Sequence, residues 1–247
     1  MEGNFFALYD RLLAGIEGDD RIDFTGSGDR WCMAGTASGL GLAMNTPGDT
    51  APLLFPGGLE GLPLAKAAQA LKSWNFREAS FALAAVNAWY NSPRRLDKLG
   101  AALPAGQHYT HGLNYDGMCV GIVGHMKGPA DLRQRAGEVY ILERCPEPGD
   151  YPDSACEYIL PRCDLVIITG SSIINKTLPR LLELSRRAYV ILTGPSVPLC
   201  PALLDFGVDR LAGLVVDKPG ATAAHVSGSV PGSPYHLGQS FLLSREG

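Results

Sequence analysis

The chain has 247 residues, with 21 lysines and arginines against 25 aspartates and glutamates, and a formal net charge of −4. Hydrophobic residues make up 46% and charged residues 19%, an ordinary globular composition with enough apolar material for a sizeable core. The weak negative charge argues against an extended nucleic-acid surface, and no segment is long and apolar enough to cross a bilayer as a helix, so neither nucleic acid nor membrane is expected as a partner.

The opening stretch MEGNFFALYDRLLAGIEGDD carries acids and no basic segment, so no export signal is expected. The six cysteines (Cys32, Cys119, Cys145, Cys156, Cys163, Cys200) are scattered and form no C-x-x-C pair. Both features predict reduced thiols in a cytoplasmic protein. Residues 5–16 place Phe5, Leu8, Leu12 and Ile16 on one helical face. In RWCMAGTASGLGLAMNT, apolar stretches at 31–36 and 40–45 flank Ala37-Ser38-Gly39, which reads as a β-hairpin. LAKAAQALKSW predicts a short alanine-rich helix, and FREASFALAAVNAWYNS a longer one ending before Pro93. Residues 1–104 therefore read as a small α+β domain.

Residues 98–116 show little periodicity, and the domain boundary is placed there, with 105–116 as linker and 117–247 as a second domain. MCVGIVGHM, GEVYILERCP, DLVIITG, AYVILTG and DRLAGLVV read as five apolar strands, with helical segments at SACEYILPRC and TLPRLLELSRR. Continuous apolar strands alternating with helices predict a Rossmann-like α/β fold, a parallel sheet flanked by helices and buried on both faces. The stretch 220–239, rich in Gly, Pro and Ser, reads as loop before a short terminal strand at 240–243.

Ligands of open parallel sheets sit outside the carboxyl ends of the strands. Those ends here are Gly124-His125-Met126, Glu143-Arg144, Thr169-Gly170-Ser171-Ser172 and Thr193-Gly194-Pro195-Ser196; the last two repeat Thr-Gly-x-Ser. Glycine lets a backbone approach a ligand, and Ser or Thr adds a hydroxyl. Ser171, Ser172 and Asn175 precede a predicted helix, whose free amides would favour an anionic group; equally, such residues cap helices and close turns. His125 is a candidate acid–base group or ligand, or a structural hydrogen-bonding residue. Glu143, with His125 the other candidate catalytic proton-transfer group, stands where many nucleotide-binding sheets hold an acid for ribose hydroxyls, although Arg144 could pair with it. Asn87, on an apolar helical face, either fastens its helix to a loop or points into a cleft between the domains. His108 and His111 lack companions for a metal site, and the acids of Gly149-Asp150-Tyr151-Pro152-Asp153 suit a hard cation or a turn.

ALAAVNAWYN, VYILERCPEPGDYPDSACEYILPRCDLVIITGSSIINKTLPRLLELS and YVILTGPSVPLCPALLDFGVDRLAG together resemble a bacterial and archaeal family of unknown function labelled "putative heavy-metal chelation". The resemblance implies an enolase N-terminal-like domain followed by a Rossmann-like domain, and a site between them partly similar to that of methyltransferases. It also implies a role around heavy-metal chelation or metal-binding small molecules such as pterins, flavins or siderophores. Carried onto this chain, its motif positions are Asn87, Glu143, 169–172, Asn175 and 194–196. Cys145 and Cys200 stand in those motifs where other small or polar residues are expected. Three readings follow: a small-molecule-binding protein or enzyme with an anionic or chelating ligand, a non-catalytic carrier of a heavy metal or metallophore, and an enzyme using S-adenosylmethionine. A homodimer is expected because small Rossmann-like proteins often pair.

Overall fold

The structure is a computed structural model, and it describes residues 4–96, 101–104 and 107–245. The predicted boundary region includes 98–100 and 105–106, which lie outside the described residues. The chain opens with α1 (Ala7–Ala14), then β1 (Phe24–Ser27), β2 (Trp31–Thr36) and β3 (Gly39–Met44). Next come α2 (Leu64–Ala67), continued by a 3-10 turn at Ala68–Lys72, then α3 (Phe76–Tyr90) and α4 (Pro93–Leu96).

The hairpin forms as expected, with Thr36 opposite Gly39. It gains a third antiparallel strand, β1, which the periodicity did not predict because FTGS is short and only half covered. α3 lies on one face of this small sheet. A Cβ on Gly41 would come within 2.0 Å of the Ala84 carbonyl oxygen, so only glycine lets helix and strand approach so closely. Asn75 caps α3 by accepting the Glu78 amide, and Glu78 in turn accepts the amides of Leu54 and Phe55.

The second sheet follows: β4 (Ala101–Ala102), β5 (Cys119–Val123), α5 (Leu132–Arg135), β6 (Glu138–Glu143), β7 (Tyr151–Pro152), α6 (Cys156–Ile159), β8 (Leu165–Thr169), α7 (Leu178–Leu184), β9 (Tyr189–Thr193), β10 (Arg210–Val216), α8 (Pro219–Ser227) and β11 (Gly238–Ser244). Its order is β4-β11-β10-β9-β8-β5-β6-β7. From β7 across to β10 the strands run parallel; β11 and β4 add antiparallel edges. The chain leaves β5 towards β6 on one side and returns to β8 on the other, the crossover order of doubly wound folds, with its switch point between β5 and β8.

Both faces of β8 are covered. Leu165 and Ile167 pack with Val120, Ile122 and Ile191, whereas Val166 and Ile168 join a core that also takes in Tyr9 and Leu12 of α1 and Leu83 of α3. A third cluster joins Trp31, Met33, Leu40 and Leu42 of the hairpin to Leu214, Val216 and Val226. The small sheet is thus held between α3 and the β10–α8 region.

Two expectations are corrected here. The stretch expected as loop contains α8, started by Pro219 in its first turn and burying Thr222, His225 and Val226. The terminal strand is longer than expected and pairs along the whole of β10. No helix of the described residues is long and apolar enough to cross a membrane.

Candidate functional site

At the switch point, β5 ends in Gly124, whose φ of 103° favours glycine. A Cβ there would also sit 2.9 Å from the Thr169 methyl group, so the glycine keeps the ends of β5 and β8 together.

The neighbouring end of β6 supplies Glu143. Its Oε2 accepts the His125 N–H at 2.7 Å, and its Oε1 accepts the Arg144 N–H at 2.7 Å. Glu143 therefore holds the loop that carries His125. The His125 imidazole places Nδ1 2.9 Å from Asp150 Oδ2 and Nε2 3.8 Å from Glu147 Oε2. Asp150 Oδ2 also accepts the Glu147 N–H at 3.0 Å. The Asp150 side chain is 5% exposed and that of His125 46%. The hydrogen bond to Asp150 raises the His125 pKa above the ordinary imidazole value; partial burial opposes the rise, and the charges of Glu147, Asp150 and Glu143 reinforce it. The Glu147 amide, followed by His125, holds the Asp150 carboxyl below the usual range. A carboxylate at Nδ1 fixes the ring and leaves Nε2 to exchange protons or contact a ligand.

At the end of β8, most of the marked groups bond locally. Thr169 Oγ1 lies 3.1 Å from Ser171 Oγ, and buried Ser172 donates to the Thr169 carbonyl at 2.7 Å. Asn175 Oδ1 accepts from the Thr177 amide and hydroxyl, while the amides of Ile174 and Asn175 donate to the Ser171 carbonyl. A 3-10 turn at Gly170–Ile173 intervenes before α7, so these residues do not open directly onto a helix. Ser171 is half-buried.

Lys176, next in the chain, has a left-handed backbone at φ 66°, which a side-chain-bearing residue adopts at some cost. Its ammonium donates to the Ile174 carbonyl at 2.6 Å and lies 5.8 Å from the Tyr9 ring centre and 5.5 Å from that of Phe76. Burial lowers its pKa to about 8.

At the end of β9, the N-terminal unit locks onto the sheet. Ser196 Oγ accepts the Met44 amide at 2.8 Å. Asn91 donates to the carbonyls of Val197 and Leu214 at 2.9 and 3.1 Å and accepts the Leu199 amide at 2.8 Å. Asn87 donates to the Leu42 carbonyl at 2.7 Å and reaches the Pro195 carbonyl at 3.5 Å. It thus ties the helix to the hairpin and meets the 194–196 turn at once. Its Oδ1 is buried with no hydrogen-bond partner among the described residues, as is Thr193 Oγ1. Gly194 has φ 126°, and a Cβ there would meet the Gly170 nitrogen at 3.9 Å, an ordinary contact.

The strand ends therefore bring Gly124, His125, Glu143, Thr169, Gly170 and Ser171 to the switch point, and Asn87, Gly194, Pro195 and Ser196 to the seam with the N-terminal unit. Ser172 is buried, and the Oδ1 of the half-buried Asn175 is taken up by local bonds. His108 and His111 have separate partners, the Lys127 carbonyl and Gln107. Cys145 is exposed and Cys200 buried. Sequence reasoning treated Asp150 as a cation ligand or turn residue and did not connect it to His125. Lys176 was visible only as a charge after an apolar stretch. An open polar cleft of about 610 Å³, lined by residues including Asn45, Asp49 and Arg77, lies away from His125 and Ser171.

A profile of the DUF364 family, described as "putative heavy-metal chelation", matches residues 113–241. The chain belongs to this family. A second profile with the same description, DUF4213, matches residues 9–90. A solved DUF364 protein of unknown function from Desulfitobacterium hafniense superposes with a TM-score of 0.86 at 37% identity, covering 98% of each chain. Another, from Pyrococcus horikoshii, shares the fold at 22% identity and a TM-score of 0.73, over 96% of this chain and 99% of that one. An uncharacterized protein of Methanocaldococcus jannaschii is 26% identical over 148 residues, 57% of this chain; the match spans about half, 55%, of that relative.

The DUF364 description raises the question of a bare metal ion. Among the described residues no three His, Cys, Asp or Glu side chains converge as ligands. The His125, Glu143, Glu147 and Asp150 group is knitted by hydrogen bonds to itself and to backbone amides. The strand ends of this DUF364 chain do not fit a metal ion held by protein ligands alone.

Proposed function

We propose that this DUF364 protein binds an anionic or metal-chelating small molecule at the carboxyl ends of β5, β6 and β8, beside the seam with the N-terminal unit. The observation that carries the reading is the His125–Asp150 pair, held over Glu143 next to a glycine-backed switch point. A chelate brings its own coordination sphere, which suits a site that lacks three converging protein ligands. His125 Nε2 and the Ser171 hydroxyl would orient the anion, and the unpartnered Asn87 Oδ1 lies buried at the seam beside the site. In an enzymatic version His125 moves the proton and Asp150 fixes the ring. In a carrier version the same contacts hold the chelate and no bond changes.

The S-adenosylmethionine reading is the weaker of the three. Both Glu143 oxygens already accept backbone amides, so a ribose diol would share a carboxylate that holds the His125 loop. We further propose two domains, 1–104 and 117–247 joined by 105–116, in a cytoplasmic homodimer, with residues 101–102 lending the edge strand β4 to the sheet of the second domain.

The test is native mass spectrometry of protein purified gently without chelator, with metal analysis of the same sample. A stoichiometric organic or metal-chelate adduct is expected, lost when Ser171 and His125 are both replaced by alanine while the circular dichroism stays unchanged. Retention of the adduct in that variant would remove the site from the strand ends. A clean apo mass would count against the carrier version and direct the search to turnover. The same spectra report the oligomeric state.

A further inference from the structure

The opposite end of the sheet carries a second cluster. Cys119 opens β5, and Cys163 lies two residues before β8. Their sulfurs are 3.7 Å apart. The backbone around them is fixed: the Asp164 N–H donates to the Cys119 carbonyl at 2.8 Å, the Cys119 N–H donates to Asp164 Oδ2 at 2.9 Å, and Val120 pairs with Leu165. Cys163 is 3% exposed and its thiol also faces the Ile159 carbonyl at 3.4 Å, whereas Cys119 is partly open to solvent. Gly121 leaves the space, since a Cβ there would stand 3.1 Å from the Cys163 sulfur.

We infer that Cys119 and Cys163 form a two-coordinate site for a soft d10 ion of the Cu(I), Ag(I) or Hg(II) class. Soft thiolates select such ions. Two thiolates suffice for an ion that accepts linear coordination. Zinc, which takes four ligands in structural sites, finds no third His, Cys, Asp or Glu converging here among the described residues. Metal–sulfur bonds of about 2.3 Å placed end to end span roughly 4.6 Å. The pair therefore opens by about 1 Å, which a side-chain rotation of the half-exposed Cys119 supplies. Binding Cu(I) exchanges two thiol protons for the ion and leaves a complex of charge −1, with Arg162 adjacent in the chain. This site is separate from the strand-end site and does not depend on it.

The experiment uses the full chain with Cys145→Ser, which removes the exposed thiol. Cu(I) is titrated against a colorimetric Cu(I) chelator, with Zn(II) as the comparison ion. One Cu(I) per chain is expected, at least 100-fold weaker in Cys119→Ser and in Cys163→Ser, with X-ray absorption showing two sulfur neighbours and no nitrogen or oxygen. Cys119→Ser is the decisive variant, because it sits at a half-exposed strand start and is the less disruptive change; its circular dichroism is compared with the parent. Cu(I) uptake unchanged in Cys119→Ser, three or more neighbours around copper, or Zn(II) held as tightly as Cu(I) would each overturn the inference. So would a disulfide formed with glutathione disulfide in a chain that takes up no Cu(I).

Discussion

At the end of β9, most polar side chains are buried and bonded, the Asn87 Oδ1 and Thr193 Oγ1 excepted. Asn91 makes three hydrogen bonds across the seam, and Ser196 receives an amide from β3. At the ends of β5 and β6, the His125 side chain is 46% exposed over a nearly buried Asp150, and its Nε2 makes no hydrogen bond, with Glu147 3.8 Å away. Both sets border carboxyl ends of parallel strands; Ser196 and His125 stand out in the sequence, whereas Asn91, at the end of α3, does not. The difference lies in what covers them. The N-terminal unit closes over β9 and turns its polar residues into fasteners, while the loops after β5 and β6 hold a charged pair at the surface.

That contrast can be broken by substitution. Asn91→Ala is expected to have the largest effect, a loss of about 3–4 kcal/mol of unfolding free energy, because it strands two carbonyls and an amide in a buried seam. Urea denaturation measures it. Asn87→Ala, one helical turn earlier, is expected to cost about 1–2 kcal/mol, since it removes one short hydrogen bond and an acceptor that has no partner. A cost equal to that of Asn91→Ala would show that the Asn87 carbonyl oxygen is engaged after all.

His125→Ala is expected to cost about 1 kcal/mol or less at neutral pH, as for a half-exposed member of an ion pair, while removing ligand binding. Asp150→Asn should lower the His125 pKa, as followed by the imidazole proton shifts in an NMR titration. The pKa of His125 is raised above 6.5 in the folded chain, so its pairing contributes fully below that pH and is lost as pH rises through the folded value. The pKa of Asp150 is lowered below 3.8, so its contribution is present above that pH and is lost as pH falls through the folded value. An unmoved His125 titration in Asp150→Asn would dissolve the pair.

The parallel sheet was legible because DLVIITG and AYVILTG are apolar on successive residues, as strands buried on both faces must be. α8 was not, because the glycines, prolines and serines around it hide a helix whose burial comes from packing on the hairpin. The strand ends stood out through their Gly, Thr and Ser clusters. What sequence could not supply was which of them would be covered, since that depends on the N-terminal unit docking over β9. Nor could it pair His125 with Asp150, 25 residues apart, or Cys119 with Cys163, 44 apart. Cys119 and Cys163 meet across the neighbouring strands β5 and β8, whereas His125 and Asp150 meet between the loop after β5 and the start of β7, with β6 between them; neither pair has a local spacing.

The central claim is that the carboxyl ends of β5, β6 and β8 take the ligand. Amide chemical-shift mapping of the isotope-labelled chain with gallium(III) citrate, a diamagnetic anionic chelate, addresses it directly. The account predicts shifts concentrated at 124–126, 143–145 and 170–172. Shifts confined to the cleft around Asp49 and Arg77, or a spectrum unchanged by the chelate and by free citrate, would contradict it.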